Sequence, residues 1–210
     1  MTDAPNRTSY RHGDLRQALI DVALDMARQG GPDAIVLREA TRRAGVSPNA
    51  AYRHFADRQD LLEAVSASAQ GLAADAMEDA VEAQPGTGDP AVDARLRVGA
   101  VGRGYLAFAR REPGLFRAAF TVPNDLSEAF DADKAGHRGR TPFQVLAEAL
   151  DALHAAGVLP AERRQGAELL AWSTVHGLGM LALDGPLRGL TDEMLDGATE
   201  RLLLMVDRGL

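Results

Sequence analysis

Apolar side chains recur along most of this chain at intervals of three and four residues, the spacing that lines one face of an α-helix. Over residues 14–29 the series is Leu15, Leu19, Val22 and Met26, and Gly30-Gly31-Pro32 closes it. Residues 37–44 read as a second, short helix and Gly45-Val46-Ser47 as a tight turn. A third helix is predicted over 48–54, with Ser47 as its N-cap and Pro48 at the first helical position. A fourth starts after Asp57, a second N-cap candidate, and extends to about residue 83. Pro85-Gly86-Thr87-Gly88-Asp89-Pro90 interrupts the pattern. Beyond it the periodicity predicts helices over 92–111, 112–120, 141–157, 160–183 and 191–208. Thr141 and Thr191 are the caps of two of these, and Asp192 and Glu193 suit the first turn of the last. Residues 123–140 are polar and read as loop with a helical turn near 126–130. Nothing alternates with the two-residue period of a strand, and alanine and leucine outweigh β-branched residues. The expected fold is all-α, with about nine helices: three small ones close together, then longer and more apolar ones.

Composition narrows the class. A chain of 210 residues, 46% of them hydrophobic, has enough apolar surface for a sizeable core. The absence of cysteine excludes disulfides and thiolate metal sites. The first nine residues are polar, with no apolar core of a secretion signal, and no run approaches the roughly 18 apolar residues of a membrane span. A soluble, cytoplasmic protein with no membrane association is expected.

The net charge of −7 is unevenly spread. Residues 1–64 hold nine arginines and nine acids, so the remaining 14 basic and 21 acidic residues carry all of it. Arg7, Arg11, Arg38, Arg42, Arg43, Arg53 and Arg58 bracket one short region. Binding to nucleic acid needs a local basic face, not a basic protein; on charge alone, an ordinary solvated face fits as well.

Residues 37–55, LREATRRAGVSPNAAYRHF, carry the most specific chemistry. Two short helices joined by a sharp turn need a residue that tolerates positive φ, which Gly45 supplies. Leu37, Ala40, Ala44, Val46, Ala51 and Phe55 form the face that holds the pair against the first helix. Ser47, Asn49, Ala50, Arg53 and His54 are left to face outward. A short helix that begins with small and polar residues fits a DNA major groove about 12 Å wide.

The segment AGVSPNAAYRHFADRQDLLEAV, residues 44–65, resembles the DNA-binding domain of the TetR family of transcriptional regulators. Tyr52, His54, Phe55, Arg58, Leu61 and Leu62 match that family's pattern, and YRHGDLRQALIDVALDMARQGG, residues 10–31, resembles its first helix. Thr41 stands where alanine is usual and Ala51 where a larger apolar residue is common, so looser packing of the two helices is expected. The resemblance implies backbone phosphate contacts from Ser47, Tyr52, His54 and Arg58, and base contacts from Arg38, Asn49 and Ala50. The chemistry fits: Asn49 can pair with adenine, Ala50 can touch a thymine methyl, and Arg38 can pair with guanine. Arg7 and Arg11 would form an arm into a neighbouring minor groove, against the alternative of a plain tail.

The division expected is a helix-turn-helix domain over 1–64, with an arm over 1–12, and a ligand-binding and dimerisation domain over 65–210. AWSTVHGLGML, residues 171–181, contains a Trp172…His176-Gly177 arrangement that resembles a motif of one branch of the family's C-terminal domains. The resemblance implies a homodimer on double-stranded DNA, with His176, Gly179, Leu202 and Met205 at the interface, against the alternative that the last two helices only complete the protomer core. It also implies an effector pocket for a small molecule of unknown identity. Tyr105, Phe108, Phe116, Phe120, Phe143 and Trp172 are the candidates for its walls, each also readable as plain core, and the 123–140 segment is a candidate gate. No catalytic residue, cofactor or metal is expected. The five histidines lack ligand spacing, and neither a G-x-S-x-G elbow nor a P-loop is present. The expected function is a sequence-specific regulator, a repressor released by its effector. The rival from another class is a helical scaffolding dimer that reads no DNA, with an enzyme further behind.

Overall fold

A computed structural model describes residues 12–122 and 125–210. The expected arm at Arg7 and Arg11 lies outside the described residues. Among those described there are ten α-helices and no strand: α1 (His12–Gly30), α2 (Leu37–Arg43), α3 (Pro48–Ala51), α4 (Arg58–Glu82), α5 (Pro90–Arg111), α6 (Pro113–Thr121), α7 (Pro142–Ala155), α8 (Ala161–Arg164), α9 (Ala167–Leu183) and α10 (Asp192–Gly209). Caps set many of the boundaries. Ser47, Asp57, Asp89, Thr141 and Thr191 each accept a hydrogen bond from a backbone N–H of the helix they precede, and Thr141 forms a full capping box with Gln144.

The helices share one hydrophobic core. α4 is its axis, packed against α1 at one end and against α5, α6 and α7 along the rest. This single helix of 25 residues runs straight through position 64, so the expected division between two parts falls inside a continuous element. The largest fully buried side chains, Phe55, Phe116, Leu19, Ile35, Leu61 and Leu115, come from both parts.

Three expectations about elements are corrected. The helix expected over 160–183 is broken: Gly166 takes a left-handed conformation with φ of 77°, separating α8 from α9. The third helix stops at Ala51, with Tyr52 as C-cap and a turn over the next residues. Residues 125–140 are more ordered than a loop. Two 3-10 turns, Leu126–Phe130 and Ala132–Lys134, are followed by a strap tied to α4. In that strap His137 bonds Asp75 through both its backbone N–H and its ring, Arg138 pairs with Asp79 and Glu82, and Arg140 pairs with Glu78 and Glu148.

Candidate nucleic-acid interface and ligand cavity

The α2–α3 unit is set by its turn. Gly45 has φ of 68°, which L side chains rarely adopt. Its N–H and that of Val46 donate back to the carbonyls of Arg42 and Thr41, capping the end of α2. The packing is closed, not loosened, at the two unusual positions. Ala51 is fully buried, and buried Thr41 satisfies its hydroxyl on the Leu37 carbonyl at 2.7 Å. Leu37, Ala40 and Phe55 complete the seam, and the Arg16 guanidinium lies over the Phe55 ring, 5.4 Å from its centroid.

The outward side carries Arg38, Ser47, Asn49, Tyr52 and Arg53, all exposed, with Ala50 and His54 half-buried. Tyr52 is 58% exposed although aromatic, so its ring is held out toward solvent. Ser47 uses its oxygen to cap α3 through the Ala50 N–H, which leaves its O–H to donate elsewhere. Three arginines that charge alone assigned to this face are differently engaged. Arg42 and Arg43 both close on Glu39, and their hydrogen bonds hold its carboxyl down at about 2. Arg58, expected to contact phosphate, donates from Nε to the Ile35 carbonyl and from Nη2 to the Pro32 carbonyl, each at 2.7 Å. It staples the first loop to the start of α4. These bonds use two of its five N–H donors and the side chain is 45% exposed, so Arg58 has a structural role beside which the expected phosphate contact remains open to its other donors.

Further along, a cavity of about 60 Å³ lies between α4, α5, α7, α9 and α10, with mainly apolar walls. Of the six aromatic candidates, Tyr105, Phe120, Phe143 and Trp172 line it. Phe108 and Phe116 do not. Both are buried, Phe116 completely, and its ring stands edge-on to Tyr105 with centroids 5.3 Å apart. The pattern missed Gln70, Met77, Val101, Val175 and Leu203, which also line the cavity. Their only sequence signal was ordinary helical periodicity, which does not distinguish a cavity wall from core. Burial raises the Tyr105 phenol above its ordinary value and lowers His176 below 6.5.

A family model described as the tetracyclin repressor-like C-terminal domain matches residues 98–206, just over half of the 210-residue chain, and one for bacterial regulatory proteins of the tetR family matches residues 19–65. The chain belongs to the TetR family. Among curated relatives, the uncharacterized HTH-type transcriptional regulator TtgW of Pseudomonas putida is 42% identical over 65 residues, covering 30% of this chain and 48% of that one. The HTH-type transcriptional regulator BetI of Rhizobium meliloti is 38% identical over 85 residues, 40% of either chain. The matches thus span about half the length of these relatives or less. A solved structure of a protein of unknown function from Rhodococcus sp. RHA1 resembles the whole chain, with 28% identity, 99% of each chain covered and a TM-score of 0.70. A bacterial regulatory protein in the tetR family from Rhodococcus RHA1 shares the fold at 18% identity, with 91% and 96% of the chains covered and a TM-score of 0.57.

In this TetR-family chain, α9 and α10 divide their residues between core and surface. Leu203 and Val206 of α10 face α5 and α9, while Leu169, Leu170, Met180, Leu181, Met194, Leu204 and Met205 remain exposed. A Cβ at Gly177 would meet nothing within 4 Å. Two residues expected at a subunit interface turn inward instead. A Cβ at Gly179 would lie 3.3 Å from the Phe116 ring and 3.6 Å from Leu106, and the His176 ring stacks on Phe116. Gly179 is buried in the protomer, while His176 is half-buried beside Trp172. Of the other two, Leu202 is half-buried and Met205 is 60% exposed.

Proposed function

We propose that the protein is a sequence-specific transcriptional regulator that binds a palindromic site on double-stranded DNA as a homodimer and is released from it by a small-molecule effector. The observation that carries the reading is the exposed edge of the α2–α3 unit. A tight glycine turn and closed seam there present Ser47, Asn49 and Tyr52 outward on a helix too short to serve as a packing element. Ser47, Tyr52 and His54 position the head on phosphates, while Arg38, Asn49 and Ala50 meet base edges. Residues 1–64 read DNA, and residues 65–210 sense ligand and dimerise, joined by the unbroken α4.

Dimerisation rests on the exposed apolar side chains of α9 and α10. Scattered single apolar residues are ordinary on a surface; seven exposed large ones on two neighbouring helices support an interface there. Paired two-fold, these helices form a four-helix bundle. Its two heads must then stand about 34 Å apart to meet successive major grooves.

Selection of bound duplexes from a random pool tests the reading. A palindrome with half-sites about one helical turn apart is expected. Recovery of no enriched motif from a folded protein would overturn it.

A further inference from the structure

The cavity has a polar edge built as a relay. Trp172 Nε1 donates to the Tyr105 hydroxyl at 3.3 Å, and that hydroxyl lies 2.8 Å from His176 Nδ1. The direction of the second bond follows from the first. The Tyr105 hydroxyl already accepts from the indole and is almost wholly buried, so its own proton needs an acceptor. Among the described residues, His176 Nδ1 is the acceptor it meets. The hydrogen-bond network therefore assigns the imidazole proton to Nε2. His176 lines the vestibule of about 410 Å³ that adjoins the cavity and shares Gln70, Phe120, Ala129 and Trp172 with it. The Nε2–H is the donor that His176 brings to that space.

Size and charge narrow the occupant further. An apolar cavity of about 150 Å³ holds one benzene, so the inner cavity of about 60 Å³ holds only part of a ligand body and the rest lies in the vestibule. The inner walls offer aromatic rings and no charged side chain. At the vestibule, Lys134 is already neutralised by Glu128 and Asp131, and Asp125 adds further negative charge. Such a mouth repels carboxylates, and the dry interior penalises any ion.

We propose that cavity and vestibule together take one uncharged, mainly aromatic or apolar molecule carrying a single oxygen acceptor, which the His176 Nε2–H reads. This names the ligand class for the sensing role put forward above and rests on it. A ligand seated there would also press on Phe120, the C-terminal part of α6.

Four probes with a common ring separate the terms: acetophenone, ethylbenzene, benzoate and benzylamine. The chain has one tryptophan, so isotope-labelled full-length protein gives a single indole N–H resonance, and that proton is the first donor of the relay. Acetophenone should shift this resonance saturably and bind about fivefold to tenfold more tightly than ethylbenzene, the worth of one neutral hydrogen bond. Benzoate and benzylammonium should leave it in place. His176→Phe, which keeps the ring and removes the donor, should erase the preference for acetophenone. His176→Gln, which keeps a donor, should retain part of it and serves if the first variant fails to fold. Equal affinity for benzoate and acetophenone, a preference that survives His176→Phe in a folded protein, or no shift with any probe would each overturn the proposal. A gel shift with acetophenone is read separately. Saturable binding without release of DNA leaves the ligand class standing and refutes the effector role.

Discussion

At the scale of single residues, the arginines show how far sequence carries. Seven of them bracket the helix-turn-helix segment, and their charge gives no sign of which ones face DNA. Geometry separates them, because Arg58 is held by two backbone carbonyls and Arg42 and Arg43 by Glu39. These partners lie up to 26 residues away, across a loop whose path helical periodicity does not encode. Two substitutions should therefore behave oppositely. Tyr52→Phe removes an exposed hydroxyl that stabilises nothing in the protomer. It should leave the melting temperature unchanged and weaken binding to all sequences alike, with the slope of log affinity against log salt unchanged, because a neutral hydroxyl displaces no counterion. Arg58→Ala should lower the melting temperature, at a cost of about 1 kcal/mol for the bonds that tie the loop before α2 to the start of α4, and should lower the salt slope by about 0.9 where the charge also meets a phosphate. Unchanged DNA affinity in Tyr52→Phe would remove Tyr52 from the phosphate set. His176 supplies a pH test with a defined sign. Burial lowers its pKa in the folded state below the ordinary 6.5, so the unfolded chain takes up the proton first as pH falls. Its contribution is fully present above about 6.5 and is lost progressively below it. Urea midpoints measured from pH 7.5 to 5 should fall less steeply for His176→Gln than for the parent.

At the scale of elements, helices with clear caps and long apolar periods were legible, and so was the turn near residues 126–130. The break at Gly166 was not. Its neighbours Gln165 and Ala167 are good helix formers, and an isolated glycine inside an apolar period reads as tolerated. What closes that site is Arg164, which pairs with Asp151 of α7 and Glu168 of α9, a tertiary constraint with no local signature. Besides the continuous α4, α6 bridges α1 and the helices around the cavity. Its first turn sits so close to the end of α1 that a Cβ on Gly114 would lie 2.0 Å from the Ala27 carbonyl oxygen. Near its other end the Ala119 carbonyl accepts from Ser66 and Gln70 of α4, and Phe120 lines the cavity. A ligand-driven shift of Phe120 would, under the proposed sensing role, be expected to reach α1 through this helix of nine residues, which a variant at its close contact tests. Gly114→Ala forces that contact open. It should cost about 1–3 kcal/mol, the usual price of overpacking a close backbone approach. It should also change operator affinity, although residue 114 touches no DNA. Unaltered affinity and unaltered effector response in a folded variant would rule out α6 as the coupling element.

At the scale of the whole molecule, the proposed function makes affinity for DNA depend on two heads acting together, because one short helix reads few base pairs. Of the residues expected at an interface, Gly179 is buried inside the protomer, since a small residue serves close packing within a protomer as well as between protomers. The exposed side chains give a firmer basis. Leu170, at 64% exposure, and Met205, at 60%, stand on the outer sides of α9 and α10, where the protomer gives them nothing to pack against. Solvent-exposed ion pairs run between α5 and α10: Arg95 with Asp207, Arg103 with Glu200, and Arg110 with Asp192 and Asp196. A double change, Leu170→Glu with Met205→Glu, puts like charges on an exposed surface and disturbs no buried contact. Circular dichroism and the melting transition at low concentration should therefore stay close to those of the parent. Sedimentation should report a species of about 22.3 kDa instead of twice that mass. Operator binding should fall by two or more orders of magnitude, since linking two heads multiplies affinity by roughly that factor without any new contact. A variant that sediments as a dimer, or a monomer that keeps full operator affinity, would place the two-fold contact on another face of the molecule.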